Sequence, residues 1–365
     1  MPCPVIFPYE LRETNLPEFL ENTYRHAGLS GLDLFPNAQP ETVTNLLTQC
    51  PAYEPTALLN LPELASQCGI AKLWVKDERT RMGLGSFKAL GAAYAIARDA
   101  AMVAGQNGNW SHALKGRSYV TASAGNHGLS VAAGAQLFGA RAIVYLAETV
   151  PDAFAGRLVA KGAQVRRAGA NYEESMAAAE AAAEANGWTL LSDSTWPGYT
   201  EMPLRVMEGY LQLSAEVAEE LDEAPTHILL QAGVGGMAAA IAAHARSVWG
   251  DGPVIIVVEP DAAPALTESI LAGRLLTADG PVSSMGRLDC KTPSMVALAG
   301  LARDADLFVT ISEEEAARGV RILKDHNLGT TPSGAAGLAA LLAGLPGIGK
   351  DSRVLAILSE CEEDA

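Results

Sequence analysis

The residue with the clearest chemical potential is Lys88, which stands between a glycine-punctuated turn, Gly83–Ser86, and an apolar helix starting at Ala89. A free lysine has a pKa of about 10.4 and is a poor nucleophile at neutral pH. Partial burial beside Phe87 and Leu90 would lower that pKa, and a neutral amine can form a Schiff base with a carbonyl. The alternative is that Lys88 only begins a helix and extends its ammonium group into water.

A glycine-rich loop follows a predicted strand over His227–Gln231 and precedes a predicted helix. It contains Gly233, Val234, Gly235, Gly236 and Met237. Its backbone N–H groups and the N-terminus of the following helix suit a phosphate group. Tight packing of strand against helix is the alternative explanation. The spacing Gly-x-Gly-Gly differs from the Gly-x-Gly-x-x-Gly of nicotinamide-binding folds, which disfavours a dinucleotide.

A second strand-to-helix loop offers a hydroxyl, an amide and an imidazole. Its residues are Ser123, Ala124, Gly125, Asn126, His127 and Gly128. N–H groups at a helix start can bind a carboxylate, and the Asn126 amide can hydrogen-bond a ligand oxygen. The alternatives are an ordinary helix cap at Asn126 and a structural histidine at position 127.

A hydroxyl at the end of the last predicted strand, Val354–Leu358, is a further candidate. Ser359 follows this strand directly. Since ligands gather at the carboxyl ends of parallel strands, this hydroxyl could meet a ring nitrogen. A frayed C-terminus is the alternative.

Predicted strands and helices alternate along the chain in two series, which predicts an α/β fold of two lobes with parallel-rich sheets flanked by helices. The boundary is expected near Ser192–Tyr199, where Trp196-Pro197-Gly198 interrupts the pattern. Residues 1–50 are interpreted as an N-terminal arm, and residues 260–295 as an irregular stretch.

Composition excludes several classes of protein. The 365 residues carry a formal net charge of −16, which argues against nucleic-acid binding. No apolar run reaches the roughly 18–20 residues of a membrane span, and no secretory signal is evident. Five scattered cysteines fit a reduced cytoplasm, and no metal-ligand spacing is found.

Taken in order, these motifs resemble the fold type II enzymes that use pyridoxal phosphate, a group that includes tryptophan synthase β, threonine dehydratase and serine racemase. The sequence is closer still to the diaminopropionate ammonia-lyases, from about residue 50 to the end. The shared motifs are Gly83-Leu84-Gly85-Ser86-Phe87-Lys88-Ala89-Leu90-Gly91, Trp196-Pro197-Gly198-Tyr199-Thr200, Gln231-Ala232-Gly233-Val234-Gly235 and Val258-Glu259-Pro260-Asp261.

The resemblance implies a role for each candidate. Lys88, next to Phe87, would attach the pyridoxal phosphate covalently, Asn126 would bond its ring hydroxyl oxygen, and Ser359 would face its pyridine nitrogen. The loop 233–237 would hold its phosphate, and residues 123–125 with His127 would lie at the substrate carboxylate. Asp193 would be the catalytic acid or base.

The resemblance also implies the architecture and the assembly. Residues 1–91 and 199–365 would form a large cofactor-binding domain, and residues 92–198 a small substrate-side domain, with the cofactor in the cleft between them. It further implies a homodimer that acts on a small amino acid.

Two departures affect the expected reaction. Ala124 stands where the ammonia-lyases carry an aspartate thought to take the α-proton of the D-substrate, and Cys361 stands where a glycine is expected. The expected reaction is therefore α,β-elimination of ammonia from a 2,3-diamino acid, 2,3-diaminopropionate with the L-side preferred, giving pyruvate and ammonia. The alternatives are a serine, threonine or hydroxyaspartate dehydratase, a β-replacement synthase, and a non-catalytic cofactor- or amino-acid-binding protein.

Overall fold

The computed structural model describes residues 18–105 and 110–362. Two sheets dominate these residues, one of seven strands and one of four. The first 17 residues of the expected N-terminal arm lie outside the described residues. The α/β class with parallel-rich sheets, as expected from the sequence, is confirmed.

The strands are short and mostly parallel. They are β1 (Phe19–Glu21), β2 (Leu58–Asn60), β3 (Lys72–Asp77), β4 (Ser118–Ala122), β5 (Arg141–Leu146), β6 (Ala163–Arg167), β7 (Thr189–Leu190), β8 (His227–Gln231), β9 (Val254–Pro260), β10 (Leu307–Ile311) and β11 (Arg353–Leu358). The large sheet has the order β1-β10-β9-β8-β11-β3-β2, and the small sheet β6-β5-β4-β7. Among the strands of residues 18–105 and 110–362, only the edge strands β1 and β2 pair antiparallel.

Helices cover the sheets. They are α1 (Glu41–Leu47), α2 (Pro62–Gln67), α3 (Lys88–Ala104), α4 (Asn126–Leu137), α5 (Asp152–Ala160), α6 (Tyr172–Asn186), α7 (Glu201–Glu220), α8 (Gly236–Trp249), α9 (Ala265–Ala272), α10 (Met295–Asp304), α11 (Glu313–Asp325) and α12 (Pro332–Ala343). Helix α9 corrects the expectation that residues 260–295 are irregular throughout. It was missed because it spans only eight residues and is flanked by Pro264 and Gly273.

The register of the large sheet brings three candidate segments to one edge. Leu355 of β11 pairs in parallel with Ile228 of β8 on one side and with Trp74 of β3 on the other. The carboxyl ends of these strands therefore meet at the same edge. The glycine loop after β8, Ser359 after β11 and the turn that leads from β3 to Lys88 all follow these ends.

A close contact between α3 and α7 places an aromatic ring beside Lys88. A Cβ atom on Gly209 would lie 2.5 Å from the Leu90 carbonyl oxygen, and one on Gly91 would lie 2.6 Å from the Tyr210 ring. Because neither glycine has a side chain, the two helices approach closely and Tyr210 is buried against the start of α3.

A buried ionic network fixes the turn before Lys88. The Arg81 guanidinium donates to Glu78 at 2.6 and 2.7 Å and to both carboxylate oxygens of Glu216, each at 2.8 Å. Lys76 Nζ lies 2.7 Å from Glu216, and all four side chains are buried. Since buried charges must be paired, this network links β3, the 3-10 turn 78–83 and α7.

Candidate active site

The structure pairs Lys88 with Asp193, although 105 positions separate them. Lys88 Nζ donates to Asp193 Oδ2 over 2.5 Å. The side chains are 21% and 17% exposed, so both are largely removed from solvent. Lys88 begins α3, and Asp193 follows β7 of the small sheet. The pair therefore joins the start of α3, which follows β3 of the large sheet, to the segment that follows β7 of the small sheet.

This pair overturns the expectation that Lys88 has a lowered pKa. Burial acts to lower the pKa of Lys88, but the Asp193 carboxylate outweighs it and raises that pKa above its ordinary value. Burial likewise acts to raise the pKa of Asp193, and the ammonium group holds it well below its ordinary value. In this state the amine is charged, because a partner that the local sequence does not reveal stabilises the ammonium form.

Two aromatic rings lie near the amine of Lys88, and the end of the last strand contacts the residue before it. Lys88 Nζ lies 5.3 Å from the centroid of the Phe87 ring and 5.8 Å from that of Tyr210. Those two rings meet edge to face at 5.0 Å. The Phe87 N–H donates to the Ser359 carbonyl over 3.1 Å, which holds the end of the last strand beside the residue that precedes Lys88.

The Ser123–Gly128 loop folds around its own serine. Ser123 Oγ accepts the N–H groups of Gly125 at 3.2 Å and Gly128 at 3.1 Å, and α4 begins at Asn126. The hydroxyl hydrogen of Ser123 can still donate to a ligand, since a hydroxyl offers one donor besides its lone pairs. Ala124, in the same loop, is exposed.

His127 is buried and belongs to the surroundings of the lysine–aspartate pair. Its Nε2 lies 2.8 Å from the Leu191 carbonyl oxygen, and its Nδ1 has no hydrogen-bond partner among the described residues. Burial lowers the pKa of His127, so the ring is neutral at neutral pH. A carbonyl only accepts, which puts the proton on Nε2 and leaves Nδ1 as a buried acceptor.

Asn126 contacts a residue that sequence reasoning did not place in the site. Its Nδ2 donates to Glu360 Oε2 over 2.5 Å. The other Glu360 oxygen accepts the Thr331 hydroxyl, and the Glu360 side chain is only 6% exposed. The amide expected to bond a cofactor oxygen therefore donates here to a carboxylate.

The glycine loop is built as a concave backbone surface. Gly235 has φ +93°, and no side chain caps the N-terminus of α8. A Cβ atom on Gly233 would lie 3.0 Å from Cys290 Sγ and 3.1 Å from the Arg287 carbonyl oxygen. Gly233 therefore allows residues 287–290 to pack directly on the loop, and the backbone N–H groups at the uncapped start of α8 suit an anion.

Hydrogen bonds tie the glycine loop to the segment that carries Asp193. The Ser294 N–H donates to the Val234 carbonyl over 2.9 Å, and the Thr195 N–H donates to Ser294 Oγ over 3.0 Å. Thr195 lies two positions after Asp193. This link fixes the Asp193 carboxylate relative to the glycine loop. In the sequence, only two separate hydroxyl residues, Thr195 and Ser294, could have indicated it.

Comparison with known proteins identifies the family. The model of the pyridoxal-phosphate dependent enzymes matches residues 50–360. The chain belongs to this family. Its cofactor is therefore pyridoxal phosphate, and the fold type II class expected from the sequence is confirmed. The uncapped helix start at residues 235–236 fits a phosphate, and the amine of Lys88, which is largely removed from solvent, fits an aldehyde.

Individual relatives are similar over most of their length. Diaminopropionate ammonia-lyase of Escherichia coli K12 is 32% identical over 328 residues, covering 85% of this chain and 82% of the relative. Rat serine dehydratase-like protein is 29% identical and covers 63% and 68%. The crystal structure of the E. coli lyase with D-serine superposes with a TM-score of 0.85 at 30% identity, covering 94% of each chain. A second structure of that lyase holds an aminoacrylate–PLP azomethine reaction intermediate.

The described residues contain neither a membrane-spanning helix nor a cluster of metal ligands. None of the helices within residues 18–105 and 110–362 is long and apolar enough to cross a membrane. Over the same ranges, no group of three or more histidine, cysteine or acidic side chains is arranged to hold a metal ion.

Proposed function

We propose that this enzyme is a carbon–nitrogen lyase that removes ammonia from a 2,3-diamino acid, with 2,3-diaminopropionate of the L-configuration as the reference substrate. The observation that carries the proposal is the 2.5 Å contact between Lys88 and Asp193 at the start of α3. This pair places a proton donor and a proton acceptor where a lysine-bound aldehyde cofactor would meet its substrate. The similarity to the E. coli diaminopropionate ammonia-lyase supports the reaction type.

When bound, pyridoxal phosphate supplies an electron sink that allows a proton to leave the α-carbon of an amino acid. Lys88 would attach it, and Phe87 would lie beside that attachment. The loop from Gly233 to Met237 would hold the phosphate, while Asn126 and Ser359 would bond the ring. A neutral hydroxyl such as that of Ser359 does not keep the ring nitrogen protonated, which favours elimination.

Asp193 would orient the lysine and exchange a proton with it. The carboxylate holds Nζ in one place and stabilises its charged form, so a proton taken up by Lys88 is retained within the pair. Placed proton-transfer groups contribute roughly 10²–10⁴-fold to a rate. Asp193 would also be the acid that protonates the departing amine.

The loop at residues 123–128 would hold the substrate carboxylate. The Ser123 hydroxyl keeps a donor for it, and the buried ring of His127 would lie beside it. Ala124 has no acidic group, so no proton acceptor stands at that position for a D-substrate. The L-side preference follows from this position.

A dehydratase acting on serine, threonine or hydroxyaspartate is the second candidate, supported by the similarity to the rat serine dehydratase-like protein. The same acid would protonate a departing hydroxyl group as readily as an amine. Purified enzyme given L- and D-diaminopropionate, serine, threonine and hydroxyaspartate, with oxo acid measured, separates the two. Oxo acid from serine but not from diaminopropionate would reject the ammonia-lyase proposal.

The central test is Lys88→Ala. This variant should lose the absorbance of the bound cofactor at the edge of the visible range and all elimination activity, because no other lysine is expected at the site. Lys350→Ala, on the exposed surface, serves as the matched control. Turnover by the Lys88 variant would disprove the role of this lysine.

Light scattering on the purified protein and fractionation of the native cell would test the proposed homodimer and its cytoplasmic location.

A further inference from the structure

We propose that Glu360 is a positioning residue for the cofactor. It fixes the orientation of the Asn126 amide, so that an N–H group of Asn126, and not its carbonyl oxygen, faces the ring hydroxyl oxygen of bound pyridoxal phosphate. The proposal rests on the proposed role of Asn126 at the ring and does not depend on which amino acid the enzyme converts. Glu360 contacts three segments of the site, and these contacts carry the proposal.

The backbone of Glu360 is paired with the turn that precedes the site lysine. Glu360 forms an antiparallel bridge with Ser86, and the Cys361 N–H donates to the Gly85 carbonyl over 2.9 Å. On its other side, the Thr330 hydroxyl donates to the Glu360 carbonyl oxygen over 2.6 Å. The side chain of Glu360 therefore starts from a fixed point next to the residues that would attach the cofactor.

The carboxylate of Glu360 is held as well. The hydroxyl oxygen of Thr331 accepts the Gly334 N–H over 3.0 Å at the start of α12, and its hydroxyl hydrogen donates to Glu360 Oε1. Arg287 lies over Gly125, with Cδ 3.3 Å from the position of a Cβ atom on that glycine, and its Nε is 3.8 Å from Glu360 Oε2. Because the side chain of Glu360 is only 6% exposed, these contacts fix both its position and its orientation.

The oxygen Oε2 of Glu360 decides which way the Asn126 amide faces. Asn126 Nδ2 donates to this oxygen over 2.5 Å. The two ends of an amide side chain are nearly equal in shape, so its hydrogen-bond partners determine its orientation. An ionised carboxylate has only acceptors, and it therefore excludes the flipped amide. Since Nδ2 carries two N–H groups, the second can donate to the ring oxygen of the cofactor.

An N–H donor at this place has a chemical purpose. A donor stabilises negative charge on the ring oxygen, and hydrogen bonds to charged oxygens are the stronger ones. A flipped amide would place its carbonyl oxygen against the ring oxygen and repel it. Arg287 partly compensates the negative charge of Glu360 itself. Glu360 would therefore act on the cofactor through Asn126.

Glu360→Gln tests this orienting effect. The glutamine carbonyl oxygen would accept the Thr331 hydroxyl, which leaves an NH2 group opposite Asn126 and favours the flipped amide. Holoenzyme dialysed to equilibrium against graded pyridoxal phosphate should then bind the cofactor about 3- to 10-fold more weakly, as for the loss of one hydrogen bond. Glu362→Gln, two positions further on with a side chain that is 56% exposed, is the matched control and should bind as wild type does.

A double-mutant cycle separates orientation of Asn126 from support of the fold. Asn126→Ala should itself weaken cofactor binding. Adding Glu360→Gln to it should change the dissociation constant by less than about twofold, because no amide is left to orient. An equal loss in both backgrounds would show that Glu360 acts on the fold and would overturn the proposal. Unchanged affinity of the Glu360→Gln variant would overturn it too.

Thr331→Val provides a second test in which Glu360 is intact. It removes the hydroxyl that holds Oε1, so cofactor affinity should fall by a smaller factor, whereas Thr331→Ser keeps the hydroxyl and should retain the affinity. A loss in Thr331→Val that persists when Asn126 is alanine would contradict the proposal. If wild type eliminated ammonia from no amino acid but the coupling of Glu360 to Asn126 were measured, the proposed reaction would fail while the role of Glu360 stood.

Discussion

At the scale of residues, the site depends on how the Asp193 carboxylate changes the pKa of the Lys88 amine. Asp193 keeps Lys88 charged when no cofactor is attached, although burial alone would favour the neutral amine. The ammonium group in turn keeps the carboxylate ionised. The pair therefore holds a proton between two side chains that are only 21% and 17% exposed.

Asp193→Asn should lower kcat by about 10²–10⁴-fold, because the amide cannot accept or return a proton. The cofactor should still attach, since Lys88 is intact. The cofactor should remain attached to lower pH than in wild type, because the substitution removes the strongest influence that opposes the lowering of the Lys88 pKa by burial. Steady-state kinetics and absorbance titrations from pH 6 to 10 measure both effects.

Asp152→Asn is the matched control, since Asp152 is 99% exposed on α5. It should retain full activity. An Asp193→Asn variant with more than half of the wild-type kcat would contradict the proton-transfer role.

Ala124→Asp should increase turnover of D-2,3-diaminopropionate relative to the L-isomer, because it adds a proton acceptor in the loop proposed to hold the substrate. Ala124 is exposed, so the new carboxylate can be accommodated without burying a charge. The ratio of kcat/KM for the two isomers is the measurement, with Ala124→Asn as the uncharged control. An unchanged ratio in the Asp variant would show that another group decides stereochemistry.

At the scale of elements, the packing of α3 on α7 decides where Lys88 points. The contact between Leu90 and Gly209 leaves no space for a methyl group, whereas the α3 sequence shows only a run of small residues. The same contact brings Tyr210 to within 5.8 Å of the amine. The packing of α3 on α7 therefore determines which aromatic ring lies beside the Lys88 amine.

Gly209→Ala should destabilise the protein by about 1–3 kcal/mol, because the new Cβ would lie 2.5 Å from a backbone oxygen that cannot move independently. Urea unfolding measures the change in free energy. Gly156→Ala on α5 is the control, since its Cβ would meet nothing within 4 Å. It should instead stabilise by about 0.5–1 kcal/mol, because alanine loses less conformational freedom than glycine in a helix. Equal effects of both changes would refute the packing argument.

At the scale of the whole molecule, the buried network around Glu216 joins parts of the chain that are far apart. Arg81 and Lys76 both depend on this carboxylate. Burial acts to raise the pKa of Glu216, but the hydrogen bonds and charge of Arg81, followed by Lys76, lower it below its ordinary value. The folded state therefore holds its ionised form more strongly than the unfolded state.

Glu216→Gln should destabilise the fold by about 3–5 kcal/mol at pH 7, because it leaves buried cations uncompensated. A lowered folded pKa means that the stabilisation by Glu216 is complete above the unfolded pKa of about 4.3 and is lost as pH falls through the folded pKa. The difference in unfolding free energy between wild type and variant should therefore shrink below about pH 4.3. Urea unfolding at pH 7, 5, 4 and 3 tests this, and a difference independent of pH would show that Glu216 is not the titrating group.

The sequence by itself determined the α/β class, the family and the cofactor, because each rests on contiguous residues. The glycines before Lys88 and those at 233–236 favour a tight turn through their own lack of a side chain. That preference can be recognised from the sequence without knowledge of distant contacts. Domain limits and site roles remain predictions. Only the tertiary structure decided that Lys88 is charged beside Asp193, that Asn126 meets Glu360, and that Arg287 lies over Gly125. These contacts join residues that are distant in the chain, and electrostatic interaction depends on separation in space, which local sequence does not encode.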